Sequence, residues 1–407
     1  MDARLWVNRN FRLLFSSALA TNLGDGLIAV AVPWLATLLT HDPLLIGLVA
    51  AARHAPWALF ALPAGVLTDR HDHRRLILLA DTARLGLSLA LGLLALTASP
   101  GTGPVLGLAA LAFLLGSAEV LRDNTAQTFL PDVVDKTQLE RANGALWATE
   151  RLAGQLLGPP LAGFLIGLTI ALPFGAQTLL LLTALALIGA MRLTPIAHAR
   201  AHQPALAAIR EGLHWLWSNP TLRRLALVSG SFNFVGYGFF AIFVLYAQKV
   251  LHLDVVGYGL FLTLVAIGGL IGSILGPFVA TRIGPTASLL LGICMFSASA
   301  AALALHAPLP VIAAFMLADA FCGMLWDITV VSYRQRHIPP ALLGRVNSAY
   351  RFIGTGPAAL GAFAFGALVS LAQTPDDPAS GLLLPYAVAS AVTAALAIYS
   401  AFRLRLR

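Results

Sequence analysis

Twelve long apolar runs, parted by short polar gaps, constrain this chain more than any other feature. They cover residues 13–39, 44–66, 76–98, 105–129, 142–168, 174–191, 222–250, 255–280, 287–305, 311–331, 342–371 and 382–402. A bilayer core about 30 Å thick takes roughly 20 apolar residues as helix. Lipid offers no partner to a free backbone N–H or C=O, so such runs cross it as helices. Composition agrees: of 407 residues, 58% are hydrophobic and only 11% are charged, against about 25% in a soluble domain. The fold class predicted is an all-α membrane protein, with twelve transmembrane helices in two pseudo-symmetric six-helix bundles.

The gaps alternate in charge. The N-terminus carries Arg4, Arg9 and Arg12, and the gap after run 2 carries Arg70, Arg74 and Arg75. Lys136 and Arg141 follow run 4, and Arg192, Arg200, Arg210, Arg223 and Arg224 follow run 6. Arg282 follows run 8, Arg334, Arg336 and Arg345 follow run 10, and Arg403, Arg405 and Arg407 end the chain. The other gaps hold acids and histidines, such as Asp42, His306, Asp376 and Asp377, with Lys249 the lone cation. Cations stay on the cytoplasmic side, so both termini are expected there and the helix count is even. The net charge of +8 is therefore a topology signal and does not point to nucleic acid. Run 1 is too long for a signal peptide and lacks a small-residue cleavage site. Cys294 and Cys322 both fall within runs, too few for a disulfide framework or a zinc site; no metal site and no cofactor are expected.

The longest polar stretch, 194–220, divides six runs from six. Three domains are expected: an N-terminal bundle over 1–193, a cytoplasmic linker over 194–220, and a C-terminal bundle over 221–407. Within the linker, 205–217 shows apolar residues at helical spacing, which predicts an amphipathic helix on the inner membrane face. The halves echo each other. Arg141-x-Asn143 is matched by Arg345-x-Asn347, and Gly158-Pro159 by Gly356-Pro357.

Four constellations stand out. The turn after run 2 reads Gly65-Val-Leu-Thr-Asp69-Arg70-His71-Asp72-His73-Arg74-Arg75. Its glycine suits close helix approach, Asp69 suits a helix N-terminus, and its arginines can meet a carboxylate such as Asp123 in run 4. Such a cluster can latch one state of a two-state machine. Run 5 carries Ala145, Gly154, Gly158, Pro159, Ala162 and Gly163, small residues that permit tight helix packing beside a proline that removes a backbone hydrogen bond. Charges inside the runs cost about 2.5–3.5 kcal/mol each on insertion scales and need a reason. Asp25, Glu119, Arg122, Glu150, Asp319 and Asp327 are the candidates for proton or substrate binding, whereas Asp81 with Arg84 reads as a structural i,i+3 pair. Run 7 holds seven aromatics between Phe232 and Tyr246, a wall suited to flat apolar compounds. Trp6, Trp215 and Trp217 read as interfacial anchors.

The 65–75 turn resembles the signature of the major facilitator superfamily between its second and third helices: Gly65, Leu67, Asp69, Arg70 and Arg74 match, with Asp72 for a glycine and His73 for a basic residue. The variant, with Asn22-x-Gly24-Asp25 in run 1, is similar to the branch of siderophore exporters and macrolide or multidrug efflux proteins. The run 5 residues resemble the superfamily's antiporter signature, with alanine for glycine at 145 and 162. The equivalent turn in the second half keeps only Arg282. The resemblance implies a secondary active transporter, not an enzyme, that exports small hydrophobic or amphipathic compounds against protons by alternating access. A dedicated siderophore or metabolite exporter is the alternative, and a membrane-embedded scramblase or enzyme lacks a reactive constellation. No nucleotide loop is present, which leaves an ion gradient or downhill flow, and the titratable carboxylates favour protons. The expected partners are a small-molecule substrate, protons and membrane lipid, for a monomer in the bacterial inner membrane.

Overall fold

The structure is a computed structural model that describes residues 3–135, 138–192, 205–339, 342–374 and 380–404. Lys136, residues 194–204 of the expected linker, the 376–377 loop, Arg200, Arg405 and Arg407 lie outside these, and so does the side chain of Asp69.

The membrane-spanning helices are α1 (Arg9–Leu39), α2 (Pro43–Arg70), α3 (His73–Thr97), α4 (Thr102–Val133), α5 (Leu139–Leu168), α6 (Leu172–Gly189), α7 (Pro220–Lys249), α8 (Val255–Ile283), α9 (Pro285–Ala304), α10 (Leu309–His337), α11 (Leu343–Thr355 and Ala358–Ala372, parted by a turn at Gly356-Pro357) and α12 (Leu383–Arg403). Eleven are long and apolar enough to cross a membrane. The twelfth, α5, runs as α-helix Leu139–Thr149, π-helix Glu150–Leu157 and α-helix Gly158–Leu168. Among the described residues there is no strand. A short Ala3–Val7 helix precedes α1, and a linker helix, Ala205–Ser218, precedes α7.

Several helices start earlier than hydropathy suggests, because their caps are polar. Asn8 accepts from Phe11 N, Asp72 from Arg75 N and Asn219 from Leu222 N, each answering one orphan N–H of a first turn. The π-helix has a local cause. Pro159 has no N–H, and its ring clashes with the carbonyl four residues back, so the ladder just before it slips to five-residue spacing.

By contacts the chain forms two units. The first gathers Met1–Thr40, Ala52–His202 and Asp254–Thr263, and the second gathers His41–Ala51, Gln203–Leu253 and Leu264–Arg407. The N-terminal ends of α2 and α8 thus each join the unit of the other sequence half. Glycines make this possible. In the second unit a Cβ on Gly47 would lie 2.9 Å from Ala362 O and from Gly366 Cα of α11. In the first, a Cβ on Gly259 would lie 2.5 Å from Pro159 O, and one on Gly163 2.7 Å from Val255 O.

Each unit closes one end with an apolar cluster. In the first, Phe11, Leu14, Ile77, Phe129, Leu130 and Ile188 are buried together, edged by Trp6, whose ring meets Phe11 and Phe15. In the second, Leu216 of the linker helix is buried with Leu222, Leu225, Ile293, Trp326, Val346 and Tyr350. Outward-facing Leu179, Ile274 and Leu371 are exposed, as a lipid-facing surface requires.

Candidate functional site

The first unit concentrates charge where its helices pass mid-span. α1 supplies Asp25, α2 supplies Arg53, α3 supplies Asp81 and Arg84 one turn apart, and α4 supplies Glu119, Arg122 and Asp123. Arg84 is fully buried. It pairs with Asp25 and, at 3.3 Å, with Asp81. Arg122 Nε lies 3.8 Å from Asp81 and its Nη1 3.6 Å from Asp123. Arg53 meets Glu119 at 3.3 Å. Four carboxylates thus face three guanidinium groups, leaving one negative charge in excess when all are ionised. Asp81 Oδ2, Arg84 Nε, Arg122 Nε and Arg53 Nη1 are buried without a hydrogen-bond partner. Buried polar atoms are nearly always satisfied, so four together mark an unfinished network. One turn beyond Arg84, Ser88 donates to Phe174 O at 3.0 Å and to Gln177 Oε1 at 2.8 Å, and Gln177 Nε2 is buried and unpartnered as well.

The Asp81–Arg84 pair expected from the sequence is present, but Arg84 is also the partner of Asp25. The counter-ions of Asp25 and Glu119 are what the sequence left unassigned: Arg53 and Arg84 stand out as intramembrane charges, yet spacing cannot pair residues on different helices. Glu150 lies apart from this network. It is exposed on the π-helical stretch, and its neighbour Arg151 donates to Gln155 at 3.2 Å. In the second unit, Asp319 is partly buried on α10 with no ion pair or hydrogen bond to a described residue, while a Cβ on Gly323, one turn on, would meet nothing within 4 Å. Asp327 is exposed and near enough to Arg334 to interact with it.

The 65–75 turn is tied differently from the expected arrangement. Asp123 pairs with Arg122, not with the turn's arginines. The α4 carboxylate that reaches the turn is Asp132, 2.6 Å from His73, because only the last turn of α4 is level with the start of α3. Asp72 caps α3, and Arg74 donates to the carbonyls of Ile188, at 3.0 Å, and Gly189 at the end of α6. Arg70 and Arg75 are exposed. Gly65 is not at a close approach, since a Cβ there would meet nothing within 4 Å.

The α5 residues pack as small-residue motifs do. A Cβ on Gly158 would lie 2.5 Å from Gly26 Cα, and one on Gly154 3.2 Å from Asn22 O. Asn22 also donates to Thr149 Oγ1 at 2.8 Å. Ala162 is fully buried, and Ala145 packs against the apolar cluster that closes the first unit. Most of the α7 aromatics are packing: Phe239, Phe243 and Tyr246 are buried, Phe239 and Tyr246 lie against Tyr386, and Tyr246 donates to Leu303 O at 2.7 Å. Phe240 is exposed.

Twelve spanning helices in two six-helix bundles, with a cluster of buried charges inside the first, are the architecture of a secondary transporter. The chain matches the Major Facilitator Superfamily over residues 14–362 and belongs to it. It is 26% identical over 383 residues to the Enterobactin exporter EntS of Citrobacter koseri, covering 91% of this chain and 87% of that one. It is 27% identical over 376 residues to the Multidrug efflux pump Tap of Mycobacterium tuberculosis, covering 89% and 87%. Its fold resembles that of the D-xylose-proton symporter, with a TM-score of 0.76 at 14% identity over 98% of each chain. It also resembles the nucleoside transporter NupG, with a TM-score of 0.73 at 13% identity over 98% of this chain and all of that one. The chain is a multi-pass membrane transporter, not an enzyme.

Proposed function

We propose that this protein is a proton-coupled exporter of small hydrophobic or amphipathic compounds, working by alternating access between a 1–193 bundle and a 221–407 bundle joined by the 194–220 linker. The observation that carries the reading is the mid-span network of four carboxylates and three arginines, with its excess negative charge and unpartnered polar atoms. A buried uncompensated charge is expensive, so the network favours taking up a proton or a cation. Asp25 and Glu119, each paired with one arginine, are the carboxylates at which a change of water access shifts the balance between charged and neutral forms. Arg122 and Asp123 extend it along α4. Glu150, Asp319 and Asp327 are assigned to substrate contact. The turn from Gly65 through Asp69, Arg70, Asp72, Arg74 and Arg75 acts as an inner latch. The Gly154, Gly158 and Pro159 stretch of α5, with Ala145, Ala162 and Gly163, provides the tight joint with α1 and α8.

In proteoliposomes, Asp25→Asn or Glu119→Gln should keep substrate binding and downhill exchange but lose accumulation driven by a pH gradient, because exchange needs no net proton movement. Full gradient-driven transport in both variants would refute the assignment. The similarity to an enterobactin exporter favours a second reading, a dedicated siderophore exporter. Efflux of ethidium against efflux of enterobactin from the same vesicles separates the two. The orientation proposed, both termini cytoplasmic in a bacterial inner membrane with the protein a monomer, rests on the charge rule. Single cysteines placed in 205–218, in a background lacking Cys294 and Cys322, should resist an impermeant thiol reagent in intact cells.

A further inference from the structure

The linker helix Ala205–Ser218 divides its surface sharply. Gly212 and Leu216 are buried. A Cβ on Gly212 would lie 2.4 Å from Arg345 O at the start of α11, so this helix seats directly on the backbone of α11. Glu211, on one flank, pairs with Arg345. The other flank presents Leu213 and Trp217, one turn apart, 40% and 48% exposed. Between the flanks, on the crest away from the buried seam, stand Arg210 and His214, both exposed. The Arg223 guanidinium, from the first turn of α7, lies 6.0 Å from the Trp217 ring and donates to Trp217 O at 3.2 Å. Arg224 donates to Arg403 O at 3.1 Å. Among these groups the single acid, Glu211, is already taken.

An apolar strip of leucine and tryptophan, bordered by arginines and lying where a spanning helix begins, has the pattern of a helix lying in a membrane interface. In water the Leu213 and Trp217 side chains of the strip would stay largely hydrated, at a cost. A headgroup region accepts it, and tryptophan in particular. The charge bordering the strip then selects the lipid.

We propose that the Leu213–Trp217 flank and Arg210, His214 and Arg223 form a binding surface for anionic lipid headgroups. Apolar side chains enter the acyl boundary and the arginines meet the phosphate. The pairing of Arg345 with Glu211 keeps that cation from the lipid and ties the helix to α11. Occupancy of the surface is thereby transmitted to the start of a spanning helix. This goes beyond the exporter reading and holds whichever substrate is carried.

The test uses the purified full-length chain in detergent, titrated with phosphatidylglycerol or phosphatidylcholine and read by native mass spectrometry. Phosphatidylglycerol should be retained at least fivefold more than phosphatidylcholine. The Arg210→Gln/Arg223→Gln double variant should lose this preference, at about fivefold per arginine. Inorganic phosphate at equal concentration should not compete, since a bare anion leaves the strip uncovered. In bilayers, brominated lipid should quench the wild type more than a Trp217→Phe variant. Equal retention of the two lipids, a preference that survives the double substitution, competition by phosphate, or quenching independent of Trp217 would each overturn the proposal. The substituted side chains are exposed or at the surface, and an unchanged unfolding temperature checks that the variants fold.

Discussion

The helices α3 and α9 hold equivalent places in the two bundles, yet they differ in kind. α3 carries Asp81 and Arg84 at its middle and His73, Arg74 and Arg75 at its start, whereas α9 from Pro285 to Ala304 contains no charged residue. The difference extends to their surroundings. Around α3 the polar contacts are ion pairs among buried side chains. In the second bundle the described contacts around the start of α11 are mostly uncharged: Ser229 and Tyr350 share a hydrogen bond of 2.6 Å, Asn233 donates to Gly354 O at 2.8 Å, and Arg334 donates to Asn347 at 3.1 Å while lying 4.2 Å over the Tyr350 ring, with Asp327 near enough to Arg334 to interact with it. A network of hydroxyls and amides fixes geometry but has no protons to exchange near neutral pH. One of carboxylates and guanidinium groups responds to protons and to ions. One repeated frame thus carries a half built on a buried cluster of ion pairs and a half whose described polar contacts are mostly uncharged.

The sharpest way to break this comparison is Arg84→Met. It strands Asp25 and leaves Asp81 with only Arg122, 3.8 Å away, and removing one partner of a buried pair costs about 3–5 kcal/mol. The unfolding temperature in detergent should fall steeply, and a second substitution, Asp25→Asn, should restore part of the loss. The equivalent insult in the second bundle, Arg334→Met, removes a hydrogen bond and a cation–π contact worth about 1–3 kcal/mol together. If the two variants lose equal stability, the two halves do not differ in the way argued.

The sequence made the frame legible because two physical rules act on every residue: lipid demands apolar helices, and the charge rule sorts the gaps. The twelve runs and the even count follow from those rules, and the Asp81–Arg84 pair follows from i,i+3 spacing on one helix. Pairings across helices were not legible. Asp25 with Arg84, Arg53 with Glu119 and His73 with Asp132 join residues 59 to 66 positions apart, and periodicity on one helix says nothing of its neighbour's rotation. For the same reason the sequence did not show that Asp123 meets Arg122 and not the arginines of the 65–75 turn. Gly65 failed because glycine in a motif does not by itself imply a contact, whereas Gly26, which the sequence reading passed over, has Gly158 Cα 2.9 Å from where its Cβ would be. The π-helical stretch was half legible: Pro159 announced a break in the hydrogen-bond ladder, and only the coordinates show that it is resolved upstream.

A smaller effect sharpens the description of the second bundle. Tyr350→Phe removes a hydroxyl that meets Ser229 and lies 3.3 Å from Leu225 O. The ring stays, so its packing against Arg334 survives. A loss of about 1 kcal/mol is expected, with no change in the pH dependence of transport. A shifted pH profile would mean that the uncharged network takes part in coupling.

The smallest expected effect on stability is the most discriminating. Asp319→Asn alters a carboxylate that has no ion pair or hydrogen bond to a described residue, so the substitution breaks no partnership. It removes the cost of holding a charge away from water, which for a lone carboxylate only opposes folding. The unfolding temperature should therefore stay constant or rise, opposite in sign to Asp25→Asn, which deprives Arg84 of a partner. Ethidium binding to the purified protein supplies the second reading. If the open space beside Gly323 receives a cationic compound, loss of the Asp319 charge should weaken ethidium by roughly tenfold, the equivalent of about 1.4 kcal/mol, and Asp319→Glu should recover most of it. A drop in unfolding temperature as large as that of Asp25→Asn would show that Asp319 belongs to an ion pair of its own. The second bundle would then be electrically active too, and the contrast between α3 and α9 would describe two helices and not two halves.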